Sequence, residues 1–330
     1  MKYFVTGGAG FIGSHFVEDL LNKKNEVVVF DNFSTGQIRF LENIENHKNL
    51  LIIRGDLLDK ESLESSIKGC DTVYHFAANA DVMKSFEDPY RDFNQNLLAT
   101  MNLLDAMRKN KINKIIFSST AAALGEPETF PTSEDCPIPS QTSLYGASKI
   151  GAEAMISAFC EGYGFEAYIF RFVSLLGSRY PHGHVFDFVK QLITNKNELI
   201  ILGNGKQKKS FLNIKDCVKA INLVAEKNKT ALKNKHNIEI YHLGNSDFIN
   251  IKKSAAIICN EMSLNPKIIY KGGERGWVGD SPFVFLDISK IKNEGWKPEF
   301  TIEHSIRETV RWLIDNQWIF DLESNKNKLS

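Results

Sequence analysis

The chain opens on two apolar runs that are nearly continuous rather than alternating, KYFVT (2–6) and EVVVF (26–30). Four more of the same kind follow: NLLII (49–53), DTVYHF (71–76), NKIIFS (113–118) and EAYIF (166–170). Short unbroken runs rich in β-branched and aromatic residues predict strands covered on both faces, as in a parallel sheet. Between them apolar residues recur at helical spacing in FIGSHFVEDLLNKK, in the long segment 88–110 and in LYGASKIGAEAMISAFCEGY. Strand–helix alternation with short connections predicts right-handed βαβ crossovers, and so an α/β fold with a doubly wound parallel sheet.

Beyond Arg171 the pattern loosens. Glycine, proline and histidine collect in GSRYPHGH (177–184), followed by a helix near 184–195 and a short strand, LIIL (199–202). KDCVKAINLVAEK (215–227) reads as a helix, IEIYHLGN (238–245) as another buried strand and IRETVRWLID (306–315) as a helix. The last residues, ESNKNKLS, read as frayed. No repeat or low-complexity linker divides the chain. The expected organisation is a doubly wound domain over 1–173, joined by returning segments near 210–245. A smaller α/β domain over 174–330 is interleaved with it.

The length, 330 residues, suits about two domains. Forty basic and forty acidic residues cancel, and a sequence pI of about 7.1 excludes a general nucleic-acid binder, which needs a basic footprint. No apolar run approaches the ~18 residues of a membrane span, and MKYFVTGGAG does not read as a signal peptide. Five cysteines, Cys70, Cys136, Cys160, Cys217 and Cys259, lie far apart without a CxxC. Neither disulfides nor a metal site is expected; buried small hydrophobes in reducing cytoplasm are.

The first strand runs straight into TGGAGFIG (6–13) and then a helix. Gly7, Gly10 and Gly13 are spaced for a tight turn, for backbone approach to a pyrophosphate and for close helix–strand packing. The anion would sit on the helix N-terminus. The next strand ends in Asp31, whose carboxylate can accept both ribose hydroxyls of NAD and would repel a 2′-phosphate. A turn-forming Asp before Asn32 is the structural alternative. Asp56, just after the third strand, is placed to face an adenine ring or to cap a helix.

Tyr145 and Lys149 stand four apart in YGASK, on one face of a predicted helix. A phenol has an ordinary pKa of about 10, and bringing it near neutrality takes about 4 kcal/mol of differential stabilisation. A lysine together with a cationic nicotinamide in a dry cleft can supply that. One such spacing among nine tyrosines arises readily by chance, so location carries the weight. The preceding strand ends in Ser118-Ser119-Thr120, and hydroxyls at the C-terminal edge of a parallel sheet face the ligand crevice unless they serve as caps.

With these motifs in order, the chain resembles the extended short-chain dehydrogenase/reductase family, the NAD-dependent nucleotide-sugar epimerases and dehydratases, and most of all its UDP-glucose 4-epimerase branch. TGGAGFIGSH, VVVFDNFSTG, GDLLD, HFAANADV, NLLATMNLLDA, FSST, YGASK and GWKP carry the resemblance over nearly the whole chain. It implies a Rossmann sheet with NAD held by Gly7, Gly10, Phe11, Ile12, Gly13, Asp31, Asn32, Asp56 and Leu57. Phe76, Ala77 and Ala78 would line the dinucleotide, and Asn96 would support the site. It further implies that Thr120 hydrogen-bonds the substrate hydroxyl, Tyr145 takes its proton, and Lys149 bridges Tyr145 and the nicotinamide ribose. The implied substrate is a nucleoside-diphosphate sugar oxidised at C4. The implied assembly is a homodimer joined through 88–110 and the helix beginning near Tyr145.

Several positions depart from that family. Where its dehydratases carry Asp-Glu after the catalytic hydroxyl, this chain has Ala121 and Ala122, which can transfer no proton, so 4,6-dehydration is rejected. Ser174 replaces a substrate-contacting Asn. Lys209-Ser210 replaces Arg-Asp, keeping a cation for the diphosphate without its planar fork. Arg275 stands two residues early before Gly-Asp, and Val284 replaces a bulkier gate, leaving room for a larger sugar. His182 and His184 are read as substrate contacts or loop structure. The leading expectation is a 4-epimerase. A 4-dehydrogenase that releases the ketone comes second, and a non-catalytic NAD-sensing regulator third.

Overall fold

The computed structural model describes residues 1–83, 85–227 and 236–321. Its first part runs β1 (Lys2–Thr6), α1 (Phe11–Asn22), β2 (Glu26–Asp31), β3 (Leu50–Arg54), α2 (Lys60–Ser66) and β4 (Thr72–His75). Then come α3 (Pro89–Asp92), a π-helical turn (Phe93–Leu98), α4 (Ala99–Lys109), β5 (Lys114–Thr120), α5 (Leu144–Tyr163) and β6 (Glu166–Phe172). All six expected strands form, within two residues of their expected ends. The segment 88–110 is helical but not one regular helix, because the π turn inserts in its middle.

The remainder is β7 (Ser174–Leu176), α6 (His184–Thr194), β8 (Glu198–Ile201), β9 (Lys208–Lys209), β10 (Phe211–Asn213), α7 (Ile214–Lys227) and β11 (Ile238–Leu243). It ends with β12 (Ile249–Asn250), α8 (Ile251–Glu261), β13 (Lys267–Tyr270), β14 (Phe283–Val284), α9 (Ser289–Asn293) and α10 (Ile302–Asp315). Helix α10 starts a turn before the expected 306, because Thr301 caps it by accepting from His304 N–H. The expectation for the last residues falls outside the described part of the chain.

Seven strands form one parallel sheet in the order β11-β6-β5-β4-β1-β2-β3. Successive side chains enter opposite cores: Val5 packs with Phe16 and Leu20 of α1 and Val224 of α7, while its neighbour Phe4 packs with Leu103 of α4 and Ile156 of α5. Burial on both faces explains the unbroken apolar runs. A third core joins α6, α8 and α10 through Phe186, Val189, Ile258, Ile306 and Val310. Small sheets, β10-β7, β12-β9-β14 and β13-β8, complete that region. From β1 the chain adds β2 and β3 on one side, then returns to place β4 on the other. A crevice opens at such a reversal, beyond the carboxyl ends of the strands. Among the described residues no helix is long and apolar enough to cross a membrane.

Candidate active site

Gly7 leaves β1 at this switch point with φ +66°, and a Cβ there would lie 2.6 Å from Ala77 N. A Cβ at Gly13 would lie 2.1 Å from the Gly7 carbonyl oxygen. Strand, turn and helix therefore meet backbone to backbone, which no larger residue allows. No side chain caps α1 at Gly10, so its first-turn N–H groups are left for an anion. The Phe11 ring packs edge-on against His15 and Tyr180, so what Phe11 presents at this end of the helix is its N–H.

Asp31 is buried at the end of β2. Its Oδ2 accepts from Ala9 N–H at 3.0 Å and its Oδ1 from Phe33 N–H at 2.8 Å. Burial raises its pKa, and the two backbone donors oppose that. Each carboxylate oxygen keeps a lone pair for a diol. A Cβ at Gly36 would stand 2.8 Å from Oδ1, so the glycine keeps that approach open. Asn32 donates to Asp56 Oδ2 at 2.9 Å, tying the ends of β2 and β3 together. Asp56 Oδ1 accepts from Leu58 N–H, and the cap of α2 is Asp59 instead.

The side chains of Phe76, expected to line the dinucleotide, and Leu57, expected to help hold it, point into apolar cores. The Phe76 ring lies in the core, 4.8 Å from that of Phe16, and Leu57 is buried with the α4 core. Apolar burial claims each side chain and leaves only backbone for the cleft. Ala77 and Ala78 are half-buried. Asn96, fully buried in the π turn, accepts from Asn79 N–H at 2.8 Å and donates to Ser148 Oγ at 2.9 Å. It fastens the 77–79 loop to α5.

Two of the three expected catalytic groups, Thr120 and Tyr145, meet, and Lys149 stands one turn further along α5. Thr120 ends β5, and its Oγ1 accepts from Ala122 N–H at 3.1 Å and hydrogen-bonds Tyr145. Cap and site roles therefore coexist in one hydroxyl. Gly146 makes this approach possible, since a Cβ there would stand 2.4 Å from the Ala122 carbonyl oxygen. Burial pushes the Tyr145 phenol up to about 12; the Thr120 bond opposes this and the Asp92 carboxylate adds to it. Lys149, one turn on, sits over the Phe117 ring at 4.0 Å. Burial lowers its pKa to about 7 against the pull of Glu153. The lysine alone therefore does not draw the phenol down.

A second buried group went unread in the sequence. Glu153, one turn beyond Lys149, accepts from Arg171 Nη2 at 2.6 Å and Nε at 3.0 Å, and from Ser119 Oγ. The signal was there: Tyr145, Lys149 and Glu153 repeat at i, i+4, i+8 along one helix face.

On the far side, Lys209 and Arg275 are brought together around Asp280. Lys209 Nζ donates to Asp280 Oδ1 at 2.7 Å and to the Ser281 carbonyl. Arg275 donates to the Asp280 carbonyl at 2.6 Å and pairs through two nitrogens with Glu126. Glu126 and Asp280 were not foreseen. Ser174 is exposed at the start of β7, and Val284 is half-buried. The His184 Nε2 lies 2.7 Å from Ser254 Oγ, and its ring packs on Phe211 and Phe188. Burial holds its pKa near 3. It joins α6 to α8, and the charge of Lys209 acts on it. His182 stacks on Tyr180.

Residues 4–309 match the family described as GDP-mannose 4,6 dehydratase. A Methanocaldococcus jannaschii protein provisionally named UDP-glucose 4-epimerase is 35% identical over 318 residues, covering 94% of this chain and 98% of its own. The solved UDP-N-acetylglucosamine 4-epimerase of Methanobrevibacter ruminantium, in complex with UDP-N-acetylmuramic acid, is 33% identical with TM-score 0.82, over 96% of this chain and 98% of that one. The Thermus thermophilus UDP-glucose 4-epimerase, solved with NAD, is 31% identical with TM-score 0.82, over 95% and 99%.

Proposed function

The chain belongs to the family described as GDP-mannose 4,6 dehydratase, and from that premise we propose that it is an NAD-dependent nucleotide-sugar 4-epimerase. The glycine cradle, the uncapped first turn of α1 and the open lone pairs of Asp31 fit a dinucleotide with an unphosphorylated ribose. Gly7, Gly10, Phe11, Ile12 and Gly13 would hold its pyrophosphate through backbone. Asp31 and Asn32 would hold the adenosine ribose, with Asp56 and the 77–78 loop around the adenine. Tyr145 and Lys149 would hold the nicotinamide ribose. When bound, NAD would supply the acceptor and donor for a hydride at C4 of the sugar.

The chain's own part is proton transfer and orientation. Thr120 holds the C4 hydroxyl against Tyr145, whose oxygen takes the hydroxyl proton and gives it back. With the phenol near 12 in its buried site, the ammonium of Lys149 would have to act together with the positive charge of a bound nicotinamide to favour the phenolate. Ala121 and Ala122 occupy the turn after Thr120, so no acid stands there to expel the C6 hydroxyl. The family's description therefore does not set the reaction of this member. Lys209 and Arg275 are the cations available for the diphosphate.

The observation that supports this reading is that Thr120 meets Tyr145, one turn of α5 before Lys149, at the same sheet edge as the glycine cradle. A sensor would need none of the three. The test is a panel of UDP, dTDP, CDP and GDP hexoses followed at C4 by NMR. One pair of C4 epimers should reach equilibrium with wild type and not with Tyr145→Phe. Failure of every sugar would refute it. Net dehydrogenation is the second reading, favoured by the pairing of Lys209 and Arg275 with the chain's own carboxylates, which weakens the substrate anchor.

A homodimer is part of the proposal. Exposed Tyr90 and Phe93, with Met155 on α5, give the α3–α5 side an apolar surface suited to helix packing between copies. Sedimentation at micromolar protein should give twice the 37.3 kDa chain mass. Five free thiols suit a reducing cytoplasm.

A further inference from the structure

The Trp277 ring is half-buried, yet its indole N–H is closed off from solvent and meets no acceptor. A buried donor without a partner is costly, and native chains rarely keep one without a use for it. Trp277 lies in the segment 271–282 that links β13 to β14. Gly272, Gly273 and Gly279 there have φ of +83°, +84° and +88°, and a Cβ at Gly272 would find no atom within 4 Å. The far end of this strap is fixed. Asp280 is buried, and its carboxylate accepts from Gly276 N–H at 2.9 Å and from Lys209 Nζ at 2.7 Å. Its middle reaches the catalytic helix: a Cβ at Gly279 would stand 2.9 Å from the Thr142 carbonyl oxygen, beside the Ser143 that caps α5. The hold at Arg275 is weaker. Its partner is Glu126, and the two side chains are 43% and 40% exposed, so their pairing contributes little.

We propose that Trp277 is a further substrate-binding residue on a latch: a diphosphate displaces Glu126 from Arg275, and one of its oxygens accepts the indole N–H. This rests on the reading of the substrate as a nucleoside-diphosphate sugar. Glu126 is exposed enough to return to water at small cost. The freed guanidinium can then face phosphate oxygens with two N–H groups, a stronger pairing than the one it gives up. Trp277 follows Arg275 by two residues on the same strap, so the exchange that engages the cation also moves the stranded donor. The glycines with positive φ let the strap shift while Asp280 keeps its end in place.

The test follows the indole N–H signals by NMR in the full chain with its bound cofactor, labelled with nitrogen-15 at tryptophan. The four tryptophans are Trp277, Trp296, Trp312 and Trp318. Trp277→Phe identifies its signal. Should that variant not fold, Trp312→Phe and Trp318→Phe assign it by elimination, because Trp296 already donates to the Asp216 carbonyl. UDP, dTDP, CDP, GDP and inorganic pyrophosphate are then added in turn. At least one should move the Trp277 signal downfield, as a new hydrogen bond does, and leave Trp312 and Trp318 in place. Trp277→Phe, which keeps a ring and loses the donor, should bind that diphosphate about 10-fold more weakly. A Trp277 signal unmoved by all five, or undiminished affinity in Trp277→Phe, overturns the proposal. Epimerisation with the signal unmoved would refute the latch alone. A signal moved by a nucleoside diphosphate in a chain that epimerises no sugar would keep the latch and refute the epimerase reading.

Discussion

At the dinucleotide side of the cleft, nearly every group available to a ligand is backbone or is locked by burial: the glycine turn, the open N–H groups of α1, and Asp31 held by two amides. Across the cleft the available groups are long side chains from separate segments, Lys209 on β9 and Arg275 on the loop before β14, both already paired with carboxylates. The first side is preorganised, and substitution there should abolish binding or chemistry outright. On the proposed reading the second would exchange partners when a diphosphate binds, so changes there should alter affinity by degrees.

The largest effect expected is on the chemistry. Tyr145→Phe should lower kcat by about 10²–10⁴ while leaving the fold and the bound cofactor in place, as measured by epimerisation rate and by nucleotide released on denaturation. Gly13→Ala comes next. Its added Cβ meets the Gly7 carbonyl oxygen, so bound NAD should fall at least ~10-fold or the chain should lose stability. Retention of full NAD by this variant would break the claim that this side is rigid.

Across the cleft, Arg275→Ala should raise KM about 10-fold with kcat little changed, the scale of one charge-assisted hydrogen bond. Glu126→Gln, which frees Arg275 from its ion pair, should move KM the other way by about 2–3-fold, as exposed pairs are worth little. A 100-fold effect from either would mean that this side too is preorganised.

The smallest effect separates His184 from the site. Burial lowers the pKa of His15 to about 4 and those of His75, His184 and His242 to about 3, from an ordinary 6.5. The unfolded chain therefore takes up protons below about pH 6.5 that the folded chain refuses, and stability falls as pH drops from there toward 4. Thermal melts should show that slope. His184→Gln should flatten it without changing KM; a raised KM would restore His184 to the substrate side.

The same contrast governs what was legible in the sequence. Unbroken apolar runs identified β1 to β6, and an uninterrupted amphipathic stretch identified α5 to the residue, because burial on two faces leaves a simple pattern. The glycine turn and the Tyr145–Lys149 spacing were readable because both are local. Helix α8 was missed: it begins directly after two-residue β12, and its first turn carries Lys252 and Lys253, which hide its apolar face. Strands of two or three residues are too short to show any period. Glu126 and Asp280 lie 149 and 71 residues from the cations they hold, and spacing along a chain says nothing of such pairs. For His184 the sequence left substrate contact and loop structure open, because the Phe211 and Ser254 that engage it come from other segments.

The central claim is that one hydride leaves C4 and returns to C4. The most direct measurement uses the active nucleotide sugar carrying deuterium at C4, incubated in ordinary water and followed by NMR and by absorbance at 340 nm. Deuterium retained at C4 in both epimers, with no lasting rise in reduced cofactor, is the predicted result. A free 4-keto sugar with the label held in accumulated reduced cofactor, and turnover only when an external oxidant is added, would contradict it.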